Sequence, residues 1–201
     1  PDFQLLDSRT GSDISPNYLD GFDALACQIQ EDLSVINLDA SGRDQAIALH
    51  LCLPNYWAAA EKIGKSFVAV HEPVPHMEKI NLSAAQIIDS IIHKGPFIRF
   101  AWGIVTDNRL NQHPEPDQNV DFKMRQRREF DPDNPELYLR VERQTMHGFP
   151  DCQAVLFTIR TYLYEVNWIH RNYPQHIPSL ISAIESMSGV SLRYKGLNKD
   201  A

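Results

Sequence analysis

Leu137-Tyr138-Leu139-Arg140-Val141-Glu142-Arg143-Gln144-Thr145 and, after a short break, Gln153-Ala154-Val155-Leu156-Phe157-Thr158-Ile159-Arg160-Thr161-Tyr162-Leu163 are the two stretches that decide the fold. In the first, Leu137, Leu139 and Val141 fall on one side of an extended chain. Tyr138, Arg140, Glu142 and Gln144 fall on the other, with Arg143 next on the apolar side. A period of two is the mark of a strand. The second run is rich in β-branched and aromatic residues, and His147-Gly148-Phe149-Pro150-Asp151 supplies turn chemistry between them. The pair predicts a hairpin.

Working outward, residues 97–105 alternate as a third strand, with Ile98, Phe100, Trp102 and Ile104 opposed to Phe97, Arg99, Ala101 and Gly103. Ahead of it, Ile87, Ile88, Ile91 and Ile92 form the stripe of a helix over 84–93. Ser83 is suited to its N-cap, and Gly95-Pro96 stops it. Residues 33–39 and 45–53 read as a second hairpin around Ala40-Ser41-Gly42-Arg43-Asp44. Phe22, Leu25, Ile29 and Leu33 space a short helix over 22–33, and 56–62 reads as a helical turn. Prolines 73 and 75 exclude a regular helix from 63–82. Ile177, Leu180, Ile181 and Ile184 predict a helix within 174–187, with Pro178 near its start. Residues 107–135 lack periodicity and predict a long loop, while 1–22 read as a polar lead-in. Strands joined by hairpins and not by βαβ crossovers predict an α+β protein, mostly antiparallel, with flanking helices. A length of 201 residues predicts one domain.

Hydrophobic residues make up 43% and charged residues 22%, which excludes wholesale disorder. No apolar run approaches the roughly 18 residues a membrane helix needs. A net charge of −7 argues against nucleic acid as the partner. Cys27, Cys52 and Cys152 are scattered without a CxxC pair, so they read as reduced thiols of a cytoplasmic protein, neither a disulfide framework nor a zinc site.

Two groups carry chemistry. Arg99, Arg140, Glu142 and Arg160 sit on predicted strands, where charge is costly to bury unless paired. They read either as a polar pocket, with Glu142 facing Arg99 or Arg140, or as the solvated face of an antiparallel sheet. His71 ends an apolar run and precedes the stiff Glu72-Pro73-Val74-Pro75. It is either an iron or metal ligand or a satisfied structural histidine. None of His76, His93, His113, His147, His170 and His176 lies in HxxxH or HExxH spacing. No GxGxxG, GxxxxGK[ST] or GxSxG motif is present, so electrons for any redox role must come from a partner.

Three blocks together resemble one family: Lys62-Ile63-Gly64-Lys65 running to Val70-His71-Glu72-Pro73-Val74-Pro75; Phe97-Ile98-Arg99 with Trp102-Gly103-Ile104; and the 139–145 and 155–162 strands, with Tyr194-Lys195-Gly196 at the close. They resemble the haem-dependent oxidative N-demethylases, whose haem-binding subunit has a PAS-like fold. The resemblance implies a haem monooxygenase subunit that takes a methyl group from a small secondary amine as formaldehyde. Electrons would reach it from NAD(P)H through separate flavin and iron–sulfur reductase proteins. It implies His71 as axial ligand, with His76 the alternative. Arg140 and Arg160 would complete the cofactor-binding set. Glu142 would face the ammonium and Arg99 would steer oxygen or a carboxylate. Ala101 stands where the family tends to have Asn. The alternative reading is a non-catalytic haem- or ligand-binding PAS-type sensor.

Overall fold

The computed structural model describes residues 3–114, 130–133 and 135–197. Its centre is the predicted hairpin: β4 (Tyr138–Phe149) pairs antiparallel with β5 (Ala154–Glu165) along its whole length. Both strands outrun the alternating segments that announced them. The turn accordingly moves to Pro150–Cys152, a 3-10 turn closed by Gln153 at φ 48°. Pro150 opens that turn, and its carbonyl accepts both the backbone and side-chain N–H of Gln153. Gly148 is therefore strand and not turn. A Cβ there would collide with the carbonyl oxygens of Ile91 and Ile92, so its bareness lets a helix end rest on the strand.

β3 (Phe97–Val105) pairs with β4 on one side, with the predicted limits, and β1 (Asp32–Leu38) pairs with β5 on the other. β2 (Asp44–His50) completes an antiparallel sheet of order β2-β1-β5-β4-β3. The β1–β2 turn is held by Asp39. Its carboxylate accepts the backbone N–H groups of Ser41 and Arg43 and the Ser41 hydroxyl, which holds its pKa far below the usual carboxylate range. Gly42 supplies φ 80° there.

The expected helix at 22–33 is cut short: α1 (Gly21–Ala26) ends at Cys27, and the chain is already extended at Asp32. Tertiary pairing wins over periodicity here. Asp32 is buried and accepts the N–H groups of Cys52 and Leu53, and Leu33 pairs with both His50 and Thr158. Two one-turn helices, α2 (Phe67–Val70) and α3 (Glu78–Asn81), occupy the proline-interrupted segment. α4 (Ala84–Lys94) follows as predicted, but the Ser83 hydroxyl makes no capping bond because α3 runs almost directly into it through Leu82. The C-terminal segment carries α5 (Val166–Asn172), α6 (Ile177–Glu185), which holds the whole predicted stripe with Pro178 in its first turn, and α7 (Gly189–Tyr194), which no stripe announced.

One face of the sheet is covered by α4. Ile88 and Ile92 pack with Val155 from β5, joined by Ile36, Leu38, Phe67 and Met146. The lead-in is tied down: the Ser15 hydroxyl, 1% exposed, accepts the Leu5 N–H. Most of the predicted loop 107–135 lies outside the described residues. Its opening is anchored, since Gln112 bridges Asn55 and is buried. Among the described residues no helix is long and apolar enough to cross a membrane.

Candidate functional site

Antiparallel register puts directly opposed side chains on one face. Arg99 lies across from Gln144, Ala101 from Glu142, and Gly103 from Arg140, while Thr161 flanks Glu142 from β5. These residues share the face of Met146 and Val155, the one packed beneath α4. The small side chains at 101 and 103 leave room for the long polar ones of β4. The alternation seen in sequence is thus a polar interior and not a solvated face: Arg140 is 2% exposed and Gln144 6%.

The charges form a row. Arg99 Nε donates to Gln144 Oε1 at 2.6 Å, and Gln144 Nε2 donates to Glu142 Oε2 at 3.0 Å. On the other side of Glu142, Oε1 faces Arg140 Nε at 3.5 Å. Glu142 therefore pairs with Arg140 directly and reaches Arg99 only through Gln144, a residue with no charge to advertise its role. Burial lowers the pKa of both arginines, and the Glu142 charge opposes that in each case. Arg140 also staples loops. Its guanidinium donates to the Leu110 carbonyl at 2.9 Å, the Leu53 carbonyl at 2.6 Å and the Thr161 hydroxyl at 3.1 Å. Asp32 sits nearby, with its carboxyl pKa raised by burial in spite of two N–H donors.

His71 follows α2 as its C-cap. Its Nδ1 lies 2.8 Å from the Phe67 carbonyl, and a carbonyl can only accept, so Nδ1 carries the proton. The Nε2 lone pair is left for another partner. The ring packs on Phe67 with centroids 4.3 Å apart. Burial lowers the His71 pKa, and the charges of Arg99 and Lys62 push the same way against the Phe67 carbonyl, so the neutral ring is favoured. His76 differs: it is exposed, and its Nε2 meets Ser188 Oγ at 2.8 Å.

The end of α7 joins the site from the sheet's margin. Lys195 Nζ donates to the Trp102 carbonyl at 2.5 Å and lies 5.3 Å from the centre of its ring. Burial raises the Tyr194 pKa and lowers that of Lys195, and both groups feel the charge of Glu142.

Arg160 is not part of this group. A strand turns alternate residues to opposite faces, and Arg160 opposes Arg143, on the face away from Arg140 and Glu142. There both arginines share Glu31, at 3.5 Å from Arg143 and 3.3 Å from Arg160. That face also carries an apolar cavity of about 340 Å³ between Phe100, Trp102, Leu139 and Val141 and the helices bearing Ile169 and Leu180. The cavity and the charged row are on opposite sides of one sheet.

Fold and site together define an α+β protein that keeps a linked Arg–Gln–Glu–Arg row and a neutral histidine on the covered side of a five-stranded antiparallel sheet. Within that class, the chain belongs to the haem-dependent oxidative N-demethylase, alpha subunit-like, family, whose sequence profile matches residues 4–200. The match takes in every element described above.

Proposed function

We propose that this chain is the haem-holding domain of an oxidative N-demethylase, with a PAS-like arrangement of sheet and helices, acting in the cytoplasm. The observation that carries the reading is His71: a neutral imidazole with one nitrogen fixed by a backbone carbonyl and the other unspent. Metal-bound histidines are held in this way, because the hydrogen bond sets the tautomer and aims the ligand nitrogen. His71 Nε2 would hold the iron, and the bound haem would supply oxygen activation. His76, already engaged with Ser188, is the poorer ligand.

The remaining roles belong to side chains. Glu142 would receive the ammonium of a small secondary amine, since a carboxylate in a poorly hydrated site rewards a cation strongly. Arg99 lies toward His71 and would present a fixed donor to oxygen or to a carboxylate on the substrate. Arg140 acts through Glu142, because its terminal nitrogens are occupied by Leu53, Leu110 and Thr161. Arg160 has no part, being on the other face. The balanced reaction consumes one secondary amine, one O₂, two electrons and two protons. It breaks an N–CH₃ linkage and yields the primary amine, formaldehyde and water. NAD(P)H would be the electron source, through flavin and iron–sulfur reductase proteins.

The test is an absorption titration with hemin. One equivalent is expected to give a Soret band that His71→Ala loses and His76→Ala keeps. A band unaffected by His71→Ala would overturn the ligand assignment. A second reading, a haem sensor without turnover, is favoured by one observation: both Glu142 oxygens are already met, by Arg140 and Gln144. Amine-dependent NAD(P)H oxidation with a reductase separates the two readings.

A further inference from the structure

Three chemically different ligand groups meet at the edge of the sheet opposite β3 and its Arg99. Asp23 and Cys27 lie one helical turn apart on α1 and its C-cap, and His50 closes β2. Cys27 Sγ is 3.5 Å from His50 Nε2 and 3.6 Å from Asp23 Oδ1, and His50 Nε2 is 3.3 Å from the same Asp23 oxygen. Among the described residues this is the group of histidine, cysteine and acidic side chains with converging ligand atoms.

We propose that Asp23, Cys27 and His50 form a second, haem-independent site for a divalent ion of the zinc type, with a fourth position open to water or a small ligand. The triangle fits that ion. Bonds of about 2.3 Å to sulfur, 2.05 Å to nitrogen and 2.0 Å to oxygen, set at tetrahedral angles, require edges of about 3.6 Å for S–N, 3.5 Å for S–O and 3.3 Å for N–O. The observed edges are 3.5, 3.6 and 3.3 Å. Mixed thiolate, imidazole and carboxylate ligation is also the chemistry zinc accepts and calcium or magnesium does not.

The surroundings orient each ligand. Asp23 Oδ2 accepts the Leu19 N–H at 3.0 Å, which turns Oδ1 toward the triangle. The Asp23 N–H is itself capped by Asp20 Oδ1 at 2.8 Å. His50 Nδ1 lies 3.8 Å from Cys52 Sγ, so the second thiol sits against the ring nitrogen outside the triangle while Nε2 points into it. His50 and Asp23 are each about one-fifth to one-quarter exposed, open enough for an ion to enter.

Cobalt(II) added to the purified full chain, haem-free and in the His71→Ala background, tests the site without any reference to demethylation. The expected result is a thiolate-to-cobalt charge-transfer band saturating at one equivalent, displaced by zinc, abolished in Cys27→Ser and His50→Gln, and retained in Cys152→Ser. Cys27 is exposed, so Cys27→Ser keeps the native circular dichroism and reports binding alone. Cys52→Ala is expected to weaken cobalt binding about 10- to 100-fold. No band at saturating cobalt, or a band that survives Cys27→Ser, overturns the proposal and leaves a plain hydrogen-bonded triad. Hemin binding is read at the Soret band of the chain that retains His71, in separate samples, so the haem and zinc readings stand or fall separately.

Discussion

The two faces of β4 and β5 are made by the same residues in alternation, yet they treat charge in opposite ways. On the covered face Arg140 meets Glu142 at 3.5 Å with 2% of the arginine side chain exposed. On the other face Arg143 meets Glu31 at the same 3.5 Å, with 40% of its side chain in water. Distance does not distinguish them; hydration does. A pair in water gains little, because solvent screens both charges before they meet. A pair removed from water has lost several kcal/mol per ion of hydration, and losing one member leaves the other stranded. The covered face can keep its arginine because its terminal nitrogens are met by Leu53, Leu110 and Thr161 and its charge by Glu142. The open face can lose either arginine and be little the worse.

Breaking the covered pair is expected to have the largest effect. Arg140→Ala strands Glu142 and the Leu53 and Leu110 carbonyls, and should lower unfolding stability by about 3–5 kcal/mol in a urea titration. A loss below about 1 kcal/mol would mean the two faces are energetically alike. Next comes Gly148→Ala on the same face. Its Cβ meets the backbone of α4 and not a movable side chain, so a loss of about 1–3 kcal/mol is expected by the same measurement. A smaller, pH-dependent effect attaches to His71. Its folded pKa lies below the ordinary value of 6.5, so its contribution is intact above pH 6.5 and is lost as pH falls through the folded value. Thermal stability between pH 7.5 and 5.5 should decline more steeply in the native protein than in His71→Gln. Parallel slopes would show that the ring is not held neutral. On the open face Glu31→Ala should cost no more than about 1 kcal/mol, with the difference vanishing in high salt.

Much of the fold was legible because strands and helices leave periodic traces. β3, α4 and the β4–β5 hairpin are all visible in spacing. Period two also grouped Arg140, Glu142 and Gln144 correctly. It does not say which of two faces will be covered, since that depends on where α4 docks. Nor does it rank members: Gln144, the bridge between Arg99 and Glu142, is an ordinary polar residue until the register sets it opposite Arg99. Arg160 looked similar to Arg140 in composition and differs from it by parity within the hairpin. His71 was visible through the stiff segment after it, but its tautomer rests on the Phe67 carbonyl, a contact made by one turn of α2. His50 gave no signal at all. Its neighbours in the triangle come from a helix more than twenty residues earlier, and strand pairing alone brings them together.

Lys195 has a consequence for the protein's company. β3 is an outer strand, with Ile98 and Phe100 64% and 65% exposed, and such a strand invites another chain to continue the ladder. The ammonium of Lys195 occupies the Trp102 carbonyl near the middle of that margin. A visiting strand would have to dislodge it and strip a charge of its acceptor before the ladder could grow. The last helix is thus a stopper against fibre growth as well as a wall of the site.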